Sequence, residues 1–172
     1  MREAAARAGW TSLMPVQASG IPALLAGRNM MIQARTGSGK TGAFLLPMLQ
    51  RLDPSRSVCQ ALILVPTREL ARQVWQEAEL LCGPAGLRAA AVYGGVGFGA
   101  QNDALKQGAH IVIGTPGRVL DHLLRRTFSL DHLKILNFDE ADRMLSMGFY
   151  PDMKHVQRLL PSRELNTCMF SA

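Results

Sequence analysis

The sequence predicts an α/β protein with a mostly parallel central sheet and helices on both faces. Short apolar runs alternate with segments of helical periodicity, which is the chain order that βαβ units produce. Most of the runs are almost continuously apolar, as is typical of parallel strands buried on both faces. The expected strands are residues 29–33, 60–65, 89–92, 110–113, 134–138 and 167–170.

Length and composition favour a single compact domain. The chain has 172 residues, of which 48% are hydrophobic and 19% charged, and these values are ordinary for a folded domain. Lys and Arg number 19 against 13 Asp and Glu. The net charge of +6 favours anionic partners such as nucleotides or nucleic acid.

The number of cysteines and the length of the apolar runs indicate the cellular compartment of the protein. Cys59, Cys82 and Cys168 are odd in number and lack metal-ligand spacing, which favours a reducing, cytoplasmic setting over a disulfide framework. No apolar run approaches the roughly 18 residues of a membrane span, so we expect no membrane association. The four scattered histidines show no ligand pattern, and structural roles are expected for them.

The clearest predicted helix is Arg68–Cys82, which carries an apolar stripe and is followed by Gly83-Pro84. Trp75 and Met144 sit at helical spacing and are expected in the core.

The first predicted strand is followed by a glycine-rich loop, residues 34–41, and then by an apolar run that can form a helix. Such a loop turns its N–H groups around phosphate oxygens, and the helix N-terminus adds partial positive charge. Lys40 is placed to reach the β and γ phosphates, and the Thr41 hydroxyl to help hold Mg²⁺. The strict phosphate-loop pattern has Gly where this chain has Ala34. The predicted nucleotide-binding residues here are Thr36, Gly37, Ser38, Gly39, Lys40 and Thr41.

Carboxylates emerge at the end of the strand predicted over residues 134–138. In a phosphate-loop sheet this position places Asp139 beside Mg²⁺, partly through water, and lets Glu140 orient and deprotonate an attacking water. Lys40, Asp139 and Glu140 are therefore the predicted catalytic residues. An acidic helix N-terminus, favoured by the helix dipole, is the alternative, and both interpretations can hold at once.

With the phosphate loop, the run Asp139-Glu140-Ala141-Asp142 resembles the DEAD-box family of ATP-dependent RNA helicases. Residues 9–17 are similar to the family's Q motif, whose glutamine, here Gln17, reads the adenine edge. Ser171-Ala172 resembles the start of the Ser-Ala-Thr motif, and the resemblance implies that Asp142 engages Ser171 to couple the nucleotide and RNA sites. The residues similar to the family's RNA-backbone motifs are Pro66, Thr67, Arg68, Gly94, Gly95, Thr115, Pro116, Gly117 and Arg118.

The resemblance implies a RecA-like phosphate-loop domain over residues 1–172, the first of the two in a helicase core. ATP and Mg²⁺ are the implied cofactors, and RNA is the implied partner, bound through its backbone independently of sequence. Since the chain ends inside the last motif, we expect the second RecA-like domain to belong to a longer parent protein. The lone lobe is then expected to be monomeric, to bind nucleotide and not to unwind duplexes.

The physics of the RNA motifs agrees with this assignment. Pro66-Thr67 and Thr115-Pro116 each follow a predicted strand and open a predicted helix, so free N–H groups point where a phosphate can sit.

In the Q motif this chain has Leu13-Met14 where the family usually has Pro-Thr, and Trp10 is expected to pack structurally. Two alternatives stay open: a lobe of a DNA helicase or other phosphate-loop ATPase, and a nucleotide-gated binding module.

Overall fold

The computed structural model describes residues 1–172, which form six strands and eight α-helices. The strands are β1 (Met30–Gln33), β2 (Ala61–Leu64), β3 (Ala89–Val92), β4 (Ile111–Gly114), β5 (Ile135–Phe138) and β6 (Asn166–Ser171). The helices are α1 (Arg2–Arg7), α2 (Pro15–Leu25), α3 (Lys40–Arg51), α4 (Arg68–Cys82), α5 (Gly99–Lys106), α6 (Pro116–Leu124), α7 (Ala141–Ser146) and α8 (Tyr150–Arg158). None of these helices has the length and apolar character needed to cross a membrane.

The six strands form one parallel sheet in the order β1-β6-β5-β2-β4-β3. This confirms the predicted α/β class, and the sheet is wholly rather than mostly parallel. Each predicted strand is present within one residue at either end, because a continuous apolar run marks a doubly covered strand clearly.

The two faces of the sheet bury separate apolar cores. Ala61 and Ile63 of β2 point to the larger core, under the face covered by α1–α4, whereas Leu62 and Leu64 point to the core under α5–α8. This alternation follows from the two-residue period of a strand. Phe44 of α3 meets Phe170 of β6 edge to face, with ring centroids 5.3 Å apart, so the helix after the phosphate loop is anchored on a central strand.

The predicted helix over Arg68–Cys82 is confirmed at both ends. Trp75 is half-buried, and its indole N–H donates to the Ala89 carbonyl at 3.2 Å, while Glu79 accepts from the Ala89 N–H at 3.2 Å. Both bonds satisfy backbone groups on the outer edge of β3, which would otherwise be free to pair with another strand. Met144 is fully buried, as predicted.

Two histidines and all three cysteines lie inside the protein. Nδ1 of His110 accepts from the Arg88 N–H at 2.9 Å, and Nε2 donates to the Pro54 carbonyl. Burial lowers the pKa of His110 and His122 and therefore favours the neutral ring. Burial also raises the pKa of each cysteine thiol to about 12, which keeps the thiols unreactive.

Asn137 is an anomaly in the core. It is fully buried in β5, and neither its amide nitrogen nor its amide oxygen has a hydrogen-bond partner. An unsatisfied buried polar group costs about 1–3 kcal/mol.

We predict that Asn137→Val stabilises the protein by about 1 kcal/mol or more, because valine is apolar and fits a strand. The measurement is the free energy of unfolding in urea. Asn166→Val is the matched control, since the Asn166 amide donates to the Arg28 carbonyl at 2.7 Å, and it should destabilise. A loss of stability in Asn137→Val would contradict the cost assigned to its unpaired amide.

Candidate nucleotide site and nucleic-acid surface

A cavity of about 600 Å³ lies at the carboxyl edge of the sheet. It brings together the Q-motif segment, the phosphate loop, one side of α4 and the acidic run after β5. The predicted site residues that line it are Gln17, Thr36, Gly37, Gly39, Lys40, Thr41, Asp139 and Glu140. Segments far apart in the chain thus converge on one cavity, where ligands of open parallel sheets bind.

The phosphate loop has the backbone of an anion cradle. Gly37 and Gly39 adopt φ of +80° and +85°, the left-handed region that glycine tolerates best, and Gly39 immediately precedes α3. The Ser38 hydroxyl is buried without a hydrogen-bond partner. Ser38 does not line the cavity, so its hydroxyl would have to turn to reach a phosphate oxygen.

Lys40 carries a buried positive charge with no carboxylate paired to it. The residue is only 8% exposed, and its Nζ donates to the carbonyls of Ala34 at 2.7 Å and Ser171 at 3.1 Å. Neutral carbonyls offset a buried charge only in part, so an anion at this position is favourable.

Asp139 and Glu140 line the same cavity as Lys40, but the environments of the two carboxylates differ. Burial raises the pKa of Asp139 to about 6, the Lys40 charge lowers it in part, and the Glu140 charge raises it. Glu140 adopts φ of +52°, a conformation that costs a non-glycine residue about 1–3 kcal/mol and that clusters at functional sites. It also precedes α7 and accepts from Arg143 at 3.2 Å, so the helix-start alternative holds at the same time.

Glu77 is a site residue that the sequence analysis missed. It lines the cavity from α4 and faces the Thr41 hydroxyl. Burial raises the pKa of Glu77, the Thr41 hydroxyl lowers it, and the Asp139 charge raises it. The sequence contained one signal for this residue. Gln73 and Glu77 are polar residues four positions apart, so they share one face of a helix that is otherwise marked by its apolar stripe.

The oxygen donors around the cavity fit a magnesium ion. Thr41 offers a hydroxyl, and Asp139 and Glu140 offer carboxylates, all hard oxygen ligands of the kind that Mg²⁺ takes. No three His, Cys, Asp or Glu side chains are close enough to form a metal cage alone. Mg²⁺ is usually held by one or two carboxylates together with substrate phosphates.

Gln17 ties the Q-motif segment to the phosphate loop. It is 2% exposed, its Oε1 accepts from the Met14 N–H at 3.0 Å, and its Nε2 donates to the Gly39 carbonyl at 3.1 Å. One acceptor site and one donor hydrogen of the amide are left over. The Trp10 ring packs against Gly42 so closely that a Cβ there would overlap it, which agrees with its predicted structural role.

The predicted RNA-backbone residues lie along the same edge of the sheet. Thr67 caps α4 by accepting from the Leu70 N–H at 3.2 Å, and α6 begins at Pro116 directly after Thr115. Arg68 is exposed and pairs with Glu69 at 2.6 Å. Both helix starts therefore occupy the positions that the sequence predicted.

The loop that contains Gly94 and Gly95 lies against residues at the starts of both α4 and α6. A Cβ on Gly95 would lie 3.3 Å from Nη1 of Arg68, and Nη1 of Arg118 donates to the Val96 carbonyl at 3.0 Å. Only 11% of the Arg118 side chain is exposed, and its guanidinium stacks 4.1 Å from the Phe98 ring centre. Arg118 therefore holds the loop in place, although the sequence placed it among the residues similar to RNA-backbone motifs.

The expected link between Asp142 and Ser171 is not formed in this structure. Asp142 is exposed in the first turn of α7, where Met144 takes the buried side. The Ser171 carbonyl instead accepts from Lys40 and from the Ala34 N–H at 3.0 Å.

Comparison with known proteins identifies relatives across nearly the whole chain. The DEAD/DEAH box helicase family model matches residues 14–172. The ATP-dependent RNA helicase CshA of Listeria monocytogenes is 46% identical over 166 residues, which are 96% of this chain and 32% of that protein. The ATP-dependent RNA helicase DbpA of Escherichia coli is 48% identical over 165 residues, which are 95% of this chain and 36% of that protein.

A solved structure agrees with these sequence matches. The crystal structure of a DEAD box protein from the hyperthermophile Methanococcus jannaschii superimposes with a TM-score of 0.92 at 41% identity, covering 99% of this chain and 46% of that one. The chain spans about a third of the length of the curated relatives named above. The fold, the cavity and the family match together show that the chain belongs to the DEAD/DEAH box helicase family.

Proposed function

We propose that this chain is the ATP-binding lobe of an RNA helicase whose longer parent protein remodels RNA duplexes or RNA–protein complexes. One observation carries the proposal. A single cavity is lined by Gln17, Lys40, Asp139 and Glu140, and it lies on the edge of the sheet where α4 and α6 begin. The names of the relatives, ATP-dependent RNA helicases, support the same activity.

In the proposed site the residues of this chain bind and orient the nucleotide. The remaining donor and acceptor of Gln17 match the adenine edge, and the phosphate-loop N–H groups meet phosphate oxygens. Lys40 exchanges its carbonyl partners for phosphate oxygens. Thr41 and Asp139 would hold Mg²⁺, which when bound neutralises phosphate charge.

Glu140 is the proposed general base for the hydrolytic water. Its carboxylate lies in the cavity beside Asp139 and is held by Arg143. A carboxylate at this place can orient a water and accept its proton as the γ phosphate is attacked.

The proposed RNA surface consists of the starts of α4 and α6 and the loop with Gly94 and Gly95. Helix N-termini and backbone N–H groups recognise phosphate and sugar, so binding should be independent of sequence and sensitive to salt. Lys40 touches the Ser171 carbonyl, and this contact offers a route from the nucleotide to the end of β6. In the RNA-bound state Asp142 is proposed to engage Ser171.

A second RecA-like domain of the parent chain is proposed to complete both sites. Arginine fingers accelerate phosphoryl transfer by about 10³- to 10⁵-fold, so the lone lobe should hydrolyse ATP very slowly. We propose a cytoplasmic setting, which suits RNA substrates and the unreactive buried thiols.

Lys40→Ala is predicted to weaken Mg-ATP binding by about tenfold to a hundredfold, because a charge-assisted hydrogen bond contributes about 1.5–3 kcal/mol. A fluorescent ATP analogue titrated into the folded variant measures this. Lys154→Ala removes an exposed lysine and is the control. Unchanged affinity in Lys40→Ala would remove Lys40 from the site.

Glu140→Gln in the two-domain parent protein is predicted to keep ATP binding and to lose RNA-stimulated ATP hydrolysis by about a hundredfold or more. Phosphate release with and without RNA measures this, and a strand-separation assay follows unwinding. Competition between matched RNA and DNA strands separates an RNA helicase from a DNA helicase, since only RNA offers a 2′-hydroxyl. Full turnover by the variant would require another base.

Gly42→Ala is predicted to lower ATP affinity and to cost about 1–3 kcal/mol of stability, because the new methyl overlaps Trp10 and pushes on the Gln17 amide. Binding titration and urea unfolding measure the two effects. Gly97→Ala is the control, since a Cβ there meets nothing within 4 Å. A Gly42→Ala protein that behaves like this control would disprove the tight packing of Trp10.

A further inference from the structure

A second polar cavity, of about 440 Å³, lies at the amino ends of β5 and β6. Parallel strands of four residues extend roughly 13 Å, so this cavity is on the opposite edge of the sheet from the nucleotide site. We call it the amino-end basic pocket. Its charged and ionisable lining residues are Arg51, Arg56, His132, Lys134, Arg163 and Glu164.

The pocket has an excess of positive charge that the protein does not neutralise. Its four permanent cations face one lining carboxylate, Glu164, and all four ion pairs of the chain lie elsewhere. Asp53 is the other acid nearby. Hydrogen bonds from Ser55 lower the pKa of Asp53, and the charges of Lys134 and Arg56 lower it further. Four cations against the two acids, Glu164 and Asp53, leave a formal charge of about +2.

Three of the cations are held in place by backbone carbonyls. Nη2 of Arg163 donates to the Leu133 carbonyl at 2.7 Å, and Nζ of Lys134 donates to the Arg51 carbonyl at 3.3 Å. Arg51 itself donates to the Leu24 carbonyl at 2.9 Å. Cations fixed in this way lose little rotamer freedom when they bind a ligand.

These carbonyl bonds do not use up the donors. A guanidinium has five N–H groups and an ammonium three, and Arg163 and Lys134 use two and one of them. Arg56 is exposed, and the only hydrogen bond of its side chain is to Nδ1 of His132 at 3.1 Å. The remaining N–H groups can contact phosphate oxygens, which arginine binds in two-point fashion.

The lining also indicates which part of a nucleic acid fits. No Phe, Tyr or Trp lines the pocket, and its one aromatic ring is the His132 imidazole, which is hydrogen-bonded to Arg56. Clustered arginine and lysine without Phe, Tyr or Trp rings favour the phosphate backbone over the bases.

We propose that the amino-end basic pocket binds the phosphate backbone of single-stranded RNA, at a second site separate from the RNA surface on the carboxyl edge. The proposal rests on the proposed RNA-dependent function. The pocket shares no residue with the nucleotide cavity, so RNA in the pocket and ATP do not compete for the same side chains. Such a site would anchor the RNA while the other edge of the sheet exchanges nucleotide.

The test is fluorescence anisotropy of a labelled 12-nucleotide oligouridylate with this chain, without nucleotide, at several salt concentrations. Arg56→Ala should weaken binding about threefold to tenfold and lower the magnitude of the salt slope by about 0.7, the value for one phosphate contact on a single strand. Glu164→Gln removes the one lining carboxylate and should strengthen binding about twofold to threefold. Both variants should bind Mg-ATP normally.

Two controls distinguish RNA binding at this pocket from RNA binding elsewhere on the protein. Arg2→Ala removes an exposed arginine of α1 and should leave RNA affinity unchanged. Arg68→Ala probes the RNA surface on the carboxyl edge, and its effect should add to that of Arg56→Ala.

Two results would overturn the inference. RNA binding that depends on Arg68 and is unaffected by Arg56→Ala and Glu164→Gln would eliminate the pocket, yet leave the proposed function intact. Binding of a polyglutamate peptide that Arg56→Ala abolishes, with no change in RNA affinity, would make the pocket a site for acidic peptides. Failure of the proposed function has a different signature, namely no RNA-stimulated ATP hydrolysis by the two-domain parent protein.

Discussion

Parallel pairing of all six strands is the constraint on which the rest of this protein depends. Because every strand runs the same way, all carboxyl ends meet at one edge of the sheet. The phosphate loop after β1 and the acidic run after β5 therefore line one cavity although they are far apart in sequence, and the glycine pair after β3 lies at the far end of the same edge. The crossover helices that parallel pairing requires begin at this edge, and their N-terminal N–H groups are available there to bind an anion.

The site at that edge is built around uncompensated charge and unused hydrogen-bonding groups. Lys40 is buried against carbonyls only, Ser38 has a hydroxyl without a partner, and Glu140 holds a left-handed conformation. Each of these features costs stability in the free protein, and a bound nucleotide phosphate would relieve the first. The amino edge presents a different balance, in which cations such as Lys134 and Arg163 are anchored by carbonyls but keep free donors.

Several features could be predicted from local patterns. The strands are short apolar runs, and α4 has an apolar stripe ended by Gly83, so both are encoded within a few residues and both are confirmed. Other features depend on contacts across the chain. Glu77 was missed because its significance arises only when α4 packs beside Thr41, and the Arg118 guanidinium turns inward because Phe98 and Val96 lie over it.

The sequence by itself determined the α/β class, the order of the elements and the residues of the phosphate loop and acidic run, since periodicity and short motifs are local properties. Only the tertiary structure decided which of these residues face one another. It placed Lys40 against Ser171, left Asp142 exposed, and gathered Arg51, Lys134 and Arg163 around one pocket. The physical reason is that charge pairing and burial depend on distances between segments, and those distances are set by sheet order and helix packing.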